Sequence, residues 1–127
     1  MNLDLWAPRF RSVLRIIVGL LVLMHGTQKF LGIPPRANAA PELFSLLGAA
    51  GTLEIVGGIL MLIGLFTRPV GFVLSGFMAF AYFIAHAPRS IFPAVNGGDA
   101  AILYCFILLY FFFAGPGPWS LDAQRKR

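Results

Sequence analysis

His25 and Lys29 stand one helical turn apart, and Glu54 stands alone in the apolar run from Leu43 to Phe66, flanked by Gly51, Gly57 and Gly58. An imidazole and an ammonium donate hydrogen bonds, and a carboxylate accepts and passes on protons, so the set suits gripping a polar oxygen and moving a proton to it. Ionisable side chains in the middle of a membrane span cost at least about 2.5 to 3.5 kcal/mol on insertion scales, so they normally face a partner or a cavity. Glu54 and His25 are therefore the candidate proton relay. The candidate ligand-binding set is His25, Gln28, Lys29, Glu54, Tyr82, His86 and Asp99. The same residues have a structural reading, in which a buried ion pair fixes the register of two helices and binds nothing.

Helices must position these groups. Of the 127 residues, 58% are hydrophobic and only 12% are charged, about half the roughly 25% of a soluble domain. The composition implies an all-α integral membrane protein, a single membrane domain over residues 1–127. Four apolar stretches, Val13 to Leu31, Leu43 to Phe66, Val70 to Ala87 and Asp99 to Ala114, each approach the 17 to 25 residues of a spanning helix. Gly32-Ile33-Pro34-Pro35 ends the first and Pro41 suits the first turn of the second. Thr67-Arg68-Pro69 gives a very short second connection, Pro88 closes the third helix, Asn96 caps the fourth, and Gly115-Pro116-Gly117-Pro118 stops it. Short connections make sequential helices antiparallel, which predicts an up-down four-helix bundle. No room is left for a soluble catalytic domain.

Arg9, Arg11, Arg15, Arg68, Arg125, Lys126 and Arg127 fall on one side of this topology, against Lys29, Arg36 and Arg89 on the other. The positive-inside rule then places both termini in the cytoplasm of a multi-pass inner-membrane protein, with Arg9, Arg11 and Arg15 anchoring the interface. The basic residues are scattered, which argues for the bilayer as partner and against nucleic acid. Residues 1–39 imitate a signal peptide, but Lys29, Pro34, Pro35 and Arg36 interrupt the approach to Ala37-Asn38-Ala39, so a retained first helix is expected. Cys105 is the one cysteine, which excludes an intrachain disulfide or Cys-x-x-Cys couple.

On the first helix Arg15, Gly19, Val22, Gly26 and Lys29 share a stripe, and on the second Glu54 shares its face with Ala50, Gly51 and Gly58. His86, Tyr82, Ala79 and Ser75 align on the third, and Asp99, Leu103, Phe106 and Tyr110 on the fourth. The four faces are expected to meet. At a rise of about 1.5 Å per residue, His25 and Glu54 both lie about 18 Å from the cytoplasmic helix ends, with Lys29, His86 and Asp99 about 6 to 8 Å further out. This predicts a pocket with His25 and Glu54 at its floor and the others at its mouth. The mismatch in level disfavours His25 and His86 as a haem pair, and no tight ligand spacing on one helix marks a metal site. No intrinsic cofactor is indicated.

The ordered run Arg15, Gly19, His25-Gly26-x-x-Lys29, Glu54-x-x-Gly57-Gly58, His86, Asn96-Gly97-Gly98-Asp99, Tyr104, Gly115-Pro116-Gly117 and Ser120-Leu121-Asp122 resembles the DoxX family of small four-helix membrane proteins. The resemblance covers nearly the whole chain; it departs at Asp99, where the family more often carries Glu. DoxX-like proteins are similar to the small membrane subunit of a thiosulfate:quinone oxidoreductase, which implies a quinone or similar lipophilic redox ligand and a redox protein partner. His25 or Lys29 would then donate to a quinone carbonyl while Glu54 relays protons. Two alternatives stay open. One is a non-catalytic scaffold that docks a partner or a second copy through its small-residue faces; the other is a transporter of a small acid or proton-coupled solute.

Overall fold

The computed structural model describes residues 1–126, so the Arg127 end of the basic tail lies outside the described residues. Among these residues every regular element is helical. The long helices are α1 (Leu3–Leu31), α2 (Leu46–Ile63) and α3 (Thr67–Ala85). A 3-10 turn (Ala87–Arg89) and the short α4 (Pro93–Asn96) lead into α5 (Asp99–Ala114), and α6 (Leu121–Arg125) ends the described chain. Two helices are long and apolar enough to cross a membrane, Leu46–Ile63 and the continuous stretch Thr67–Arg89. The chain divides into two compact units, one formed by Met1–Thr67 with the segment from Pro116 onward, the other by Arg68–Gly115.

In the first unit α1 and α2 form an antiparallel hairpin whose seam is lined with glycine. A Cβ on Gly19 would lie 2.6 Å from the Leu62 amide nitrogen, and one on Gly58 would lie 2.7 Å from that of Leu23. Backbones meet at that closeness only where side chains are missing, which is the packing by which helices associate in lipid. The buried face of α1 is Ser12, Arg15, Val18, Gly19, Val22 and Gly26. That of α2 is Gly48, Gly51, Glu54, Gly57, Gly58 and Met61. Many large apolar residues elsewhere on these helices are exposed, Leu20, Val56 and Ile59 among them.

Helix ends follow capping chemistry rather than the limits of the apolar runs. Asn2 caps α1 by accepting from the Asp4 amide, so the helix starts ten residues before Val13 and carries Pro8 within it. Ser45 caps α2, accepting from the Gly48 amide at 3.0 Å, which leaves Pro41 outside the helix instead of in its first turn. Gly64, at φ 72°, ends α2 in the left-handed conformation that glycine takes without strain.

The second unit is also a hairpin. Gly71 of α3 lies against the Leu108 carbonyl, Ser75 Oγ donates to the Cys105 carbonyl at 2.8 Å, and the Phe72 and Phe112 rings pack with centroids 5.2 Å apart. Ser75 and Tyr82 lie two turns apart on α3, and His86 lies just past its end, before the 3-10 turn. The expected polar face of α5 is not the packed one. Leu103, Phe106 and Tyr110 are exposed, as is Asp99, whereas Leu108 and Phe111 are buried. This helix is apolar around its whole circumference, so its sequence carries no signal for which side is covered.

Candidate functional site

The glycine seam places Glu54. Gly26 faces Gly51 and Ile55, and Gly58 faces Leu23, so the carboxylate lies opposite the turn of α1 that holds His25 and Gly26. Glu54 is buried, and its Oε1 accepts from Lys29 Nζ at 2.6 Å. Lys29 starts one turn further along α1. Helical side chains lean toward the N-terminus of their helix, and four methylenes cover the remaining distance. Lys29 therefore sits both at the end of the helix and on the buried carboxylate, rather than waiting above it. Glu54 Oε2 has no hydrogen-bond partner among the described residues, which leaves half of a buried carboxylate unsatisfied. His25 is half-buried on α1, one residue before the close approach at Gly26.

Around this pair the α1–α2 connection is tied down. Gln28 Nε2 donates to the Pro35 carbonyl at 3.3 Å, and an Arg36 guanidinium N–H donates to the Lys29 carbonyl at 3.1 Å. Gln28 thus holds the loop. Beside it opens a cleft of about 340 Å³ lined by Lys29, Phe30, Leu31, Pro35, Arg36 and their neighbours. Lys29 is the residue common to the cleft and to the buried carboxylate.

The second unit has its own polar cluster. Asn96 is buried and acts as its hub, donating from Nδ2 to the Tyr82 hydroxyl and to the Ser90 carbonyl, both at 3.0 Å. Its Oδ1 accepts from the Gly98 amide at 2.8 Å, and its carbonyl lies 3.1 Å from His86 Nδ1. Asn96 therefore does not cap α5, whose N-cap is Gly98. Tyr82 and His86 are held by this hub, and Asp99 is exposed in the first turn of α5.

Arg15 is a buried clamp and not an interfacial anchor. It is 1% exposed, and its guanidinium donates to the carbonyls of Met61 (2.8 Å), Trp119 (2.8 Å), Leu62 (3.5 Å) and Pro116. Met61 and Leu62 present carbonyls of the last turn of α2, where the helix dipole favours a cation. The same guanidinium holds the segment that leads to α6. Asp122 completes the lock by accepting from the amides of Phe66 and Thr67 at 2.9 and 2.8 Å. Burial pushes its carboxyl up, but those two amides and nearby Arg125 outweigh burial and hold it below the usual carboxylate range. The signal for Arg15 was present in its position on the glycine stripe. Nothing in the sequence singled out Asn96 or Asp122 as partners of distant backbone.

The order of these residues matches that of a known family, and the DoxX family model covers residues 10–87. The chain belongs to the DoxX family. A 43% identical relative, an uncharacterized protein of Haemophilus influenzae, aligns over 95% of this chain and 94% of its own length. An uncharacterized membrane protein of Mycobacterium tuberculosis is 30% identical over 90% of this chain and 80% of its own. No solved structure matches. The family match contains His25, Gln28, Lys29, Glu54, Tyr82 and His86, so both polar clusters described above draw on residues of the DoxX region. As a DoxX membrane protein the chain offers two chemically distinct groups of side chains: an ion pair with one carboxylate oxygen that has no hydrogen-bond partner among the described residues, and a cluster of tyrosine, histidine and asparagine. No three His, Cys, Asp or Glu side chains converge as metal ligands among the described residues.

Proposed function

We propose that this DoxX protein is a small four-span subunit of the inner membrane that binds a quinone or similar lipophilic carbonyl compound at the Lys29 and Glu54 pair. It would exchange protons with that ligand on behalf of a membrane oxidoreductase. One observation carries the reading: Glu54 is buried but satisfied through one oxygen only, and the cation that satisfies it also lines an open cleft. An ammonium has three donors, so Lys29 can give one to a ligand carbonyl while another stays on Glu54. Reduction of a quinone to its quinol takes up electrons and protons in equal number. The electrons would come from the partner oxidoreductase, and the protons would pass through the free Glu54 oxygen, with His25 on the adjacent turn as the next carrier.

The topology belongs to the same proposal. The two apolar helices span, joined by the stretch of α1 from Val13 and by α5, with the termini cytoplasmic on the positive-inside rule. The 16 residues of α5 reach about 24 Å, short of a core of about 30 Å, and local thinning accommodates the difference. Equilibrium binding of a short-chain ubiquinone to the protein in nanodiscs tests the reading. Wild type should bind, and Lys29→Gln, which removes the charged donor to the carbonyl, should bind at least about tenfold more weakly, the loss for one charge-assisted hydrogen bond. A folded wild-type protein that does not bind the quinone ends the proposal.

A scaffold role is the second reading, favoured by the Lys29 to Glu54 pair itself, which ties α1 to α2 and can act as a clasp without any ligand. It predicts that Glu54→Gln alters bundle stability and leaves the redox phenotype of cells unchanged.

A further inference from the structure

The cleft at the C-terminal end of α1 carries more positive charge than its surroundings balance. Lys29 and Arg36 both line it, and Glu54 neutralises the first of them. Arg36 has only the neutral Lys29 carbonyl as acceptor and no carboxylate partner among the described residues. One positive charge therefore remains, on a guanidinium with most of its N–H fork unspent. The volume of about 340 Å³ is in the range of small-molecule sites.

We propose that this cleft binds the phosphodiester of an anionic phospholipid headgroup. A phosphodiester carries a single negative charge, which balances the surplus, and its two non-bridging oxygens match the Arg36 fork and a spare Lys29 N–H. The apolar surroundings favour a lipid as the source over a free anion. Leu31, which lines the cleft, and Ile33 just beyond it are each 66% exposed and offer acyl chains a surface that a soluble ion would not use. The site also follows directly on the apolar stretch ending at Leu31, which sets it at headgroup depth. The lipid would share Lys29 and the cleft with the quinone, but the charge argument rests on Arg36, which takes no part in the proton path.

The test uses the full chain in a neutral detergent. Short-chain phosphatidylglycerol, phosphatidylcholine, diacylglycerol and inorganic phosphate are compared by native mass spectrometry and by the shift in thermal midpoint. Phosphatidylglycerol should bind and raise the midpoint, with diacylglycerol and inorganic phosphate without effect. Arg36→Gln should weaken phosphatidylglycerol binding at least about tenfold, and Arg36→Lys should keep most of it. Equal binding by wild type and Arg36→Gln overturns the proposal. So does phosphatidylcholine matching phosphatidylglycerol, since the charge argument then fails, and inorganic phosphate matching it overturns the lipid as the source. Phosphatidylglycerol binding is measured in the absence of ubiquinone, so its failure is distinguishable from failure of the proton-relay reading.

Discussion

Replacing Lys29 by Met should be one of the most damaging single changes in the first unit, and its size follows from the pair it breaks. The ions are 2.6 Å apart, with side-chain exposures of 21% for Lys29 and 4% for Glu54. At an effective dielectric of about 20 their gross attraction is about 6 kcal/mol, much of which offsets the desolvation of both groups. Removing only the ammonium leaves a buried carboxylate with neither oxygen satisfied, because Oε2 already lacks a partner. Breaking one side of a buried pair costs about 3 to 5 kcal/mol, and the partial exposure of Lys29 puts this case near the lower figure. Glu54→Gln keeps an acceptor for Lys29 and should cost about 1 to 2 kcal/mol. The double variant Lys29→Met with Glu54→Leu should return to within about 1 kcal/mol of wild type, since apolar side chains of similar volume replace the charges. Unfolding in mixed micelles with rising SDS measures wild type, Lys29→Met, Glu54→Leu and the double variant as one cycle, with an expected coupling of about 2 to 3 kcal/mol. A Lys29→Met protein within about 1 kcal/mol of wild type and a coupling near zero would refute the reasoning.

The glycine seam predicts that Gly19→Ala and Gly58→Ala each lose about 1 to 3 kcal/mol in the same unfolding measurement, because the added methyl meets backbone at 2.6 and 2.7 Å. Gly76→Ala, where a Cβ meets nothing within 4 Å, should stay within about 0.5 kcal/mol and serves as the control. Arg15→Lys should free the segment after Pro116 to limited proteolysis, since a single ammonium cannot replace a fork that reaches four carbonyls; a wild-type cleavage pattern would contradict the clamp. Asp122 sets an acid limit. Its carboxyl is held below the usual range in the folded chain, so its contribution is full above about pH 4 and is lost as pH falls through the lower folded value. Proteolysis of the C-terminal segment against pH should show this step in wild type and not in Asp122→Asn.

What could be read from the sequence was governed by contrast. Glu54, Arg15 and the glycines stand out against an apolar background, and their helical spacing alone identifies the seam of α1 and α2. The limits of α2 depended on Ser45 and Gly64, ordinary residues whose capping role shows only in backbone geometry, so the apolar run from Leu43 to Phe66 overstated it. In α5 no contrast exists, and the stripe of Asp99, Leu103, Phe106 and Tyr110 is exposed while Leu108 and Phe111 are buried. Asn96 reads as a cap because Asn-Gly-Gly precedes a helix; its hydrogen bonds to Tyr82 and Ser90 depend on a turn of chain that no local pattern specifies. Cα levels place Lys29 above Glu54, whereas the backward lean and length of a lysine bring its ammonium onto the carboxylate.

The seam also bears on whether the ion pair is a clasp or a site. Gly19 against Leu62, Gly58 against Leu23 and Gly26 against Ile55 are three backbone approaches spread along the hairpin, each too close to survive a shift by one residue. They define the register of α1 and α2 by shape, with no help from charge. Arg15 adds a second lock by binding carbonyls at the end of α2. A further ion pair between the same two helices then adds little to register, and burying two charges to obtain it is a poor route to stability when apolar residues would serve as well. A pure clasp also has no use for a carboxylate oxygen left without a donor, because a glutamine or a leucine would avoid that penalty. The pair makes physical sense if its second oxygen serves a bound ligand. If the apolar double variant proves as stable as wild type but no longer binds the quinone, stability and function separate at Lys29 and Glu54, and the clasp reading fails.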